Sequence, residues 1–262
     1  MLRKPDLIVD SKGQDRVVDA VRLLKETGVA VLPEIGTDLA AALREFDGLR
    51  GDFATSKARE GPVGLSETKT GTVLKLGDSS HLCETRPILH GVFASKLVRD
   101  ISVQYLGSQA SIARQVTLTE DVRAAEAILP FHFDDIRSLK FLLYLTDTRE
   151  EGGAFECIPR TAAQAAFVRK LEWHRLRDIS SIRTPWAVFD EYSDEYFYTM
   201  FGCFKAVALA RTVTLDFDAG ALIIFDTDVL HRAGTLRADR TRKVVRVSSY
   251  ESFYPDLLAV EA

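Results

Sequence analysis

Cysteine, methionine and tryptophan are scarce in this chain: three, two and two among 262 residues. Cys83, Cys157 and Cys203 lie far apart with no Cys-x-x-Cys, which excludes a disulfide framework and a cysteine-rich zinc site. Long apolar runs are absent as well. Those present, such as Ala221 to Phe225, fall far short of the ~20 residues that a transmembrane helix needs. The basic start Met1-Leu-Arg-Lys4 leads into no apolar stretch, so a secretory signal is not expected. Nor is positive charge in excess. The 34 basic and 38 acidic residues give a net charge of −4, with no basic footprint for nucleic acid and no polybasic signal for a membrane.

What is present is ordinary for a globular protein. Apolar residues at 46% and charged residues at 27% exclude a disordered chain. No repeat, low-complexity tract or linker interrupts the sequence. The expectation is one soluble, cytoplasmic domain over residues 1–262, with a small molecule as partner rather than nucleic acid or membrane.

The first third reads mainly as helix. Val17, Val18, Val21 and Leu24 fall at helical spacing between Asp15 and Thr27, and Gly28 supplies the stop. Val29 to Leu32 suits a short strand ended by Pro33. Thr37 is placed to cap a second helix with Leu39, Leu43 and Phe46 on one stripe. Residues 50–70 read as a loop, and Ile88 to Tyr105 as a third helix. After Ser111 the pattern changes to short runs rich in β-branched and aromatic residues: 112–119, 139–145, 155–158, 207–215, 221–225 and 244–249. Such spacing predicts a sandwich or barrel rather than βαβ units. Ala162 to Arg175 is the helical exception.

Chemistry concentrates in the second half. In His132-Phe-Asp134, side chains two apart on a strand share one face, so the imidazole and carboxylate converge while Phe133 points away. His231 from another strand would complete a set of two histidines and one carboxylate, which leaves three adjacent positions open on an octahedral metal. The pair alone is weak: five histidines among 38 acidic residues produce a His-x-acid about half the time by accident. His81, His90 and His174 have no ligand-spaced partner, and Asp135 falls on the opposite strand face from Asp134.

The flanking residues add specificity. Gly220-Ala-Leu-Ile-Ile-Phe-Asp226 leads through Asp228-Val-Leu to His231, and Arg242 stands eleven residues beyond it. Upstream, Leu143-Tyr-Leu-Thr-Asp147 runs into Glu150-Glu-Gly-Gly153 and Ile158-Pro159. Over about residues 110–250 this pattern resembles the phytanoyl-CoA dioxygenase-like family of Fe(II)/2-oxoglutarate-dependent oxygenases. The resemblance implies a mainly β fold, a double-stranded β-helix of jelly-roll, cupin-like form with helices packed on one side. It implies that His132, Asp134 and His231 hold Fe(II), and that 2-oxoglutarate and O2 are consumed while a substrate C–H bond is oxidised. Arg242 would hold the distal carboxylate of 2-oxoglutarate, a task that suits a fixed, bidentate guanidinium. Arg240 and Arg246 share its strand parity, and a register shift would favour Arg246, which otherwise meets substrate.

Departures from the family are also visible. Arg160-Thr-Ala162 stands where relatives carry Gly-Ser-His, and Ala233 where a hydroxyl is common two residues after the distal histidine. A second anchor for 2-oxoglutarate must come from elsewhere. Thr117 and Thr119 share a face on the strand before His132, and Phe141 aligns with an aromatic lining the cosubstrate pocket. Residues 160–205 form an insertion rich in aromatics: Trp186, Phe189, Tyr192, Tyr196, Phe197, Tyr198, Phe201 and Phe204 beside Asp190, Asp194 and Glu195. It reads either as a lid that shapes the substrate pocket or as a hydrophobic cluster on the barrel. No Gly-rich phosphate cradle or basic patch supports an acyl-CoA substrate. Two rivals remain at this stage: a cupin-like metal enzyme that does not use 2-oxoglutarate, and a barrel that binds a small molecule without catalysis.

Overall fold

The computed structural model describes residues 2–10, 15–55, 63–67, 71–76, 85–122, 130–134, 136–149, 151–176 and 192–251. His81, Cys83, Asp135, Trp186, Phe189 and Asp190 lie outside them, as does the side chain of His174. The strands, numbered in chain order, form two antiparallel sheets. In the larger sheet β1 (Val29–Leu32), β8 (Leu222–Asp226), β5 (Leu139–Tyr144), β10 (Arg242–Tyr250), β4 (Ser111–Asp121), β3 (Gly71–Leu76) and β2 (Val63–Glu67) lie side by side. The smaller contains β7 (Val213–Leu215), β6 (Phe155–Ile158) and β9 (Leu230–Ala233). This is the expected mainly β, jelly-roll arrangement with flanking helices.

Strand alternation assigns the two faces of the larger sheet. One face, with Leu118, Phe141, Leu143, Ile224 and Val245, is covered by α1 (Arg16–Thr27), α2 (Leu39–Thr55), α3 (Pro87–Phe93) and α4 (Lys96–Leu106), through Leu24, Phe46, Leu89 and Ile101. The opposite face, with Leu142, Tyr144, Ile223, Phe225 and Val244, meets Phe155, Cys157, Val213 and Leu215 of the smaller sheet. A third cluster joins Phe131, Phe133, Ile158 and Leu230 to Ala165 and Val168 of α5 (Ala162–Leu176) and Phe197 and Phe201 of α6 (Asp194–Phe201).

Local sequence explains most boundaries. Asp15 accepts from the Val18 amide to start α1, and Gly28 (φ +82°) ends it. A side chain at Gly28 would place its Cβ 2.2 Å from Val229 Cγ2, so glycine is required there by space as well as by φ.

Four expectations need correction. Asp38, not Thr37, starts α2, its Oδ1 accepting from the Ala41 amide at 3.0 Å. Residues 50–70 are not one loop, since α2 runs to Thr55 and β2 occupies Val63–Glu67. The helix expected from Ile88 to Tyr105 is two, because Ser95 caps a new start by accepting from the Val98 amide at 3.3 Å. The strand expected over 207–215 is a short helix, α7 (Lys205–Leu209), followed by β7. Val207 and Leu209 are largely exposed, so no sheet neighbour rewards their β preference.

The described part of the aromatic insertion is built as core. Phe197 is fully buried and stacks on Phe201 with centroids 4.6 Å apart. Phe197→Ala is expected to destabilise the protein by about 3–5 kcal/mol, measurable by denaturant unfolding. A change under about 1 kcal/mol would show that α6 is not part of the third cluster.

Candidate metal centre

The segment carrying His132 and Asp134 is not a full strand. It makes a single antiparallel bridge, His132 to His231, beside β9. His132 N donates to His231 O at 3.1 Å, and His231 N donates to His132 O at 2.8 Å. The two imidazoles therefore emerge side by side, with ring centroids 4.4 Å apart. Two further contacts fix Asp134: its amide donates to Thr227 O at 3.0 Å, and its carbonyl accepts from Arg169 Nη2 at 3.1 Å. Arg169 sits on α5 with its guanidinium over the Phe133 ring, so the residue between the two ligands anchors the segment to the third cluster.

The Phe-Asp turn before His231 has a structural purpose. Buried Asp226 accepts from the Tyr105 hydroxyl at 2.7 Å, from Arg137 Nε at 3.0 Å and from the Asp228 amide at 2.9 Å. These contacts set the path from β8 into β9. Around His231 the walls are aromatic, with Phe225 at 4.7 Å and Phe155 at 5.7 Å between ring centroids.

Ligand atoms of His132, Asp134 and His231 all lie within 4.8 Å of one another, the one such cluster among the described residues. Each histidine Nδ1 lies against a carbonyl two residues back: Pro130 O at 2.9 Å and Val229 O at 2.7 Å. A carbonyl only accepts, so Nδ1 carries the proton and Nε2 is left with its lone pair, the state a metal ligand needs. Asp134 Oδ1 stands 3.9 Å from His132 Nε2 and 3.7 Å from His231 Nε2.

Burial keeps both imidazoles neutral. It lowers the His132 pKa, and with His132 alongside it lowers that of His231 to about 3. Burial pushes the Asp134 carboxyl up, but Lys140 first and His231 next outweigh it and hold the pKa at about 2. Lys140 pairs with Asp134 Oδ2. One carboxylate oxygen thus faces the histidines and the other is held by a cation, which presents the carboxylate as a single-oxygen ligand.

The inner face of β10 lies beside this cluster. Arg242 is buried and already engaged: Nε and Nη2 donate to Asp121 Oδ2 at 3.1 and 2.7 Å, and Nη1 to Gly153 O at 2.8 Å. Gly153 (φ +75°) belongs to the Gly-Gly signature, and a Cβ there would lie 3.0 Å from Arg242 Cδ. Thr117 and Thr119 share the inward face of β4, Thr117 opposite Arg246 and Thr119 opposite Val244. Phe141 does not reach the site. It packs under the helices, because on β5 the inward positions belong to Lys140, Leu142 and Tyr144.

Sequence reasoning missed Lys140, Asp121 and Tyr144. Asp121 has the same strand parity as Thr117 and Thr119, and Lys140 that of Leu142. Those were the available signals, but a charge on a strand carries no information about its partner. Tyr144 is buried next to Arg242, and burial pushes its hydroxyl up to about 12.

No known protein-family model matches the chain, and no curated protein matches it in sequence. Solved structures do match. The epimerase SnoN, solved with Fe3+, alpha ketoglutarate and nogalamycin RO, is 16% identical, with a TM-score of 0.56 over 90% of this chain and 83% of its own. The non-heme alpha ketoglutarate-dependent carbocyclase SnoK from nogalamycin biosynthesis is 14% identical, with a TM-score of 0.56 over 96% and 92%. EctD from S. alaskensis, solved with bound Fe, is 15% identical, with a TM-score of 0.56 over 87% and 74%. The chain shares their fold.

The cluster makes a direct prediction for metal binding. His231→Ala is expected to weaken divalent-metal affinity by more than the 10–100-fold typical of losing an outer partner of a ligand. Its far-ultraviolet circular dichroism should stay unchanged. Metal titration by calorimetry checks this, and unaltered affinity would remove His231 from the site.

Proposed function

We propose that this chain is an Fe(II)- and 2-oxoglutarate-dependent oxygenase of the phytanoyl-CoA dioxygenase-like type, which oxidises a C–H bond of a small organic molecule. The observation that carries the reading is the convergence of His132, Asp134 and His231, with each Nδ1 against a backbone carbonyl and one carboxylate oxygen facing both Nε2 atoms. Two neutral imidazoles and one carboxylate suit Fe(II) and leave adjacent positions open. When bound there with 2-oxoglutarate, Fe(II) supplies the oxidant from O2, while the cosubstrate becomes succinate and CO2.

The residues of the chain divide the remaining work. Asp134 offsets half the charge of a divalent ion, and Lys140 fixes the orientation of that carboxylate. Phe155 and Phe225 wall His231 off from bulk water. Arg242 holds the distal carboxylate of 2-oxoglutarate. Three of its five N–H groups are taken by Asp121 and Gly153, leaving one on each terminal nitrogen for a carboxylate. Thr117, Thr119 and Tyr144 line the same inner face and can complete that cradle. Substrate selection falls to the 160–205 insertion, whose α6 is anchored beneath by Phe197 and Phe201.

One observation favours a second reading, a metal enzyme of the same fold that does not use 2-oxoglutarate: Arg242 is already charge-neutralised by Asp121. Anaerobic addition of Fe(II) and 2-oxoglutarate separates the two. The visible metal-to-ligand charge-transfer band is expected for the proposed function, and its absence with iron bound supports the alternative. Arg242→Ala is expected to lower 2-oxoglutarate affinity by about 100-fold or more, as for a buried pair losing one partner, with iron affinity nearly unchanged.

The carboxylate at position 134 also bears on the product. It fills a ligand position and its charge disfavours a second anion at the metal. Turnover in chloride buffer is therefore expected to give oxidised product without halogen, and mass spectrometry showing a chlorinated product would contradict this.

A further inference from the structure

Two arginines face inward from β10, and their surroundings differ. Arg242 is matched by Asp121, and Lys140 on the neighbouring strand is matched by Asp134. Arg246 has no ion pair or hydrogen bond with any described residue. The charged and titratable groups that act on it are Asp134, Tyr250, Asp121 and Arg242. Its side chain is partly buried on this inward face, and burial lowers its pKa. Register places Arg246 opposite Thr117 on β4 and Leu142 on β5, with Lys140 diagonal to it across from Ser248. Arg246 therefore stands on the wall that the metal carboxylate faces.

A partly buried cation without a partner on an inward face is costly, and an oxyanion placed against it would offset that cost. The charges around it show what is missing. Asp121 balances Arg242 and Asp134 balances Lys140, so Arg246 is the one surplus charge among these described groups. A divalent metal ion and the doubly charged 2-oxoglutarate cancel each other and leave that surplus in place. We propose that Arg246 receives an anionic group of the substrate, a carboxylate or comparable oxyanion, so that the molecule oxidised is an organic acid. The planar fork of the guanidinium matches an oxyanion in two-point geometry, and the buried Thr117 beside it adds a hydroxyl.

The inference rests on the iron and 2-oxoglutarate reading, and the experiment lets the two fail separately. Thermal unfolding of the metal-free protein is followed in acetate, butyrate or hexanoate against chloride at equal ionic strength. Carboxylates are expected to raise the melting temperature of the unaltered protein above the chloride control, to leave Arg246→Met unmoved, and to have an intermediate effect on Arg246→Lys. In chloride, Arg246→Met is expected to melt higher than the unaltered protein, because a cation without a partner has been removed; a lower melting temperature would mark a structural role and overturn the proposal. In the anaerobic Fe(II) complex, Arg246→Met is expected to keep 2-oxoglutarate affinity within about threefold while weakening butyrate about tenfold or more.

Equal carboxylate effects on both proteins, or none on either, overturn the proposal. So does a loss of 2-oxoglutarate affinity of about tenfold or more in Arg246→Met, which would assign this guanidinium to the cosubstrate. If the unaltered protein binds no 2-oxoglutarate, the functional reading fails, and the metal-free carboxylate series still decides the role of Arg246.

Discussion

The pair of backbone hydrogen bonds between His132 and His231 is the contact on which the site depends. It ties a short extended segment to the edge of the three-stranded sheet, and so places two side chains 99 residues apart in sequence beside each other. Each ring then repeats the same local device, an Nδ1 proton given to the carbonyl two residues earlier. Backbone thus sets both the position of the rings and their protonation. Asp134 is held by equally short-range means, through Thr227 O on one side and Arg169 on the other. A site built this way is formed before any ion arrives, so little ordering remains to oppose binding.

The space between the sheets is divided by polarity. Toward β1 and β8 it is filled by Val29, Val31, Ile223 and Phe225 against the smaller sheet. Toward β10 and β4 it holds Arg242, Arg246, Thr117 and Asp121, with Lys140 between. Placing so many charges together costs stability unless each is matched, and among the described residues all of these but Arg246 are matched. The apolar half and the helix-covered outer face supply the cohesion that allows the polar half to exist. Lys140 shows the compromise most clearly: it keeps Asp134 ionised and oriented, yet its charge opposes the metal that Asp134 would hold.

Much of the architecture was legible because periodicity survives folding. The alternation in 112–119, 139–145 and 244–249 marked three neighbours of one sheet, and Asp15 and Gly28 marked both ends of α1. The strand at 63–67 was hidden by its polar, glycine-containing sequence, and 207–215 was misread because Val and Leu on a short exposed helix look like strand residues. In the site, the His-x-Asp spacing and the turn before His231 were visible as local patterns. Gly153 was visible too, but only the structure gives its reason, the close approach of Arg242.

By itself the sequence determined residue types and local parity: which side chains share a strand face, where helices begin and end, and that two histidines and a carboxylate stand in plausible positions. Tertiary structure decided what those residues meet. Asp121 and Arg242 are 121 positions apart, and their pairing follows from the register of β4 against β10, which neither segment encodes alone. The same register turns Phe141 toward the helices and Lys140 toward the site. Parity is a property of one strand, but the sign of its charge environment belongs to its neighbours. That is why the equivalence of Arg242 and Arg246 in the sequence ends in the fold, one satisfied and the other open.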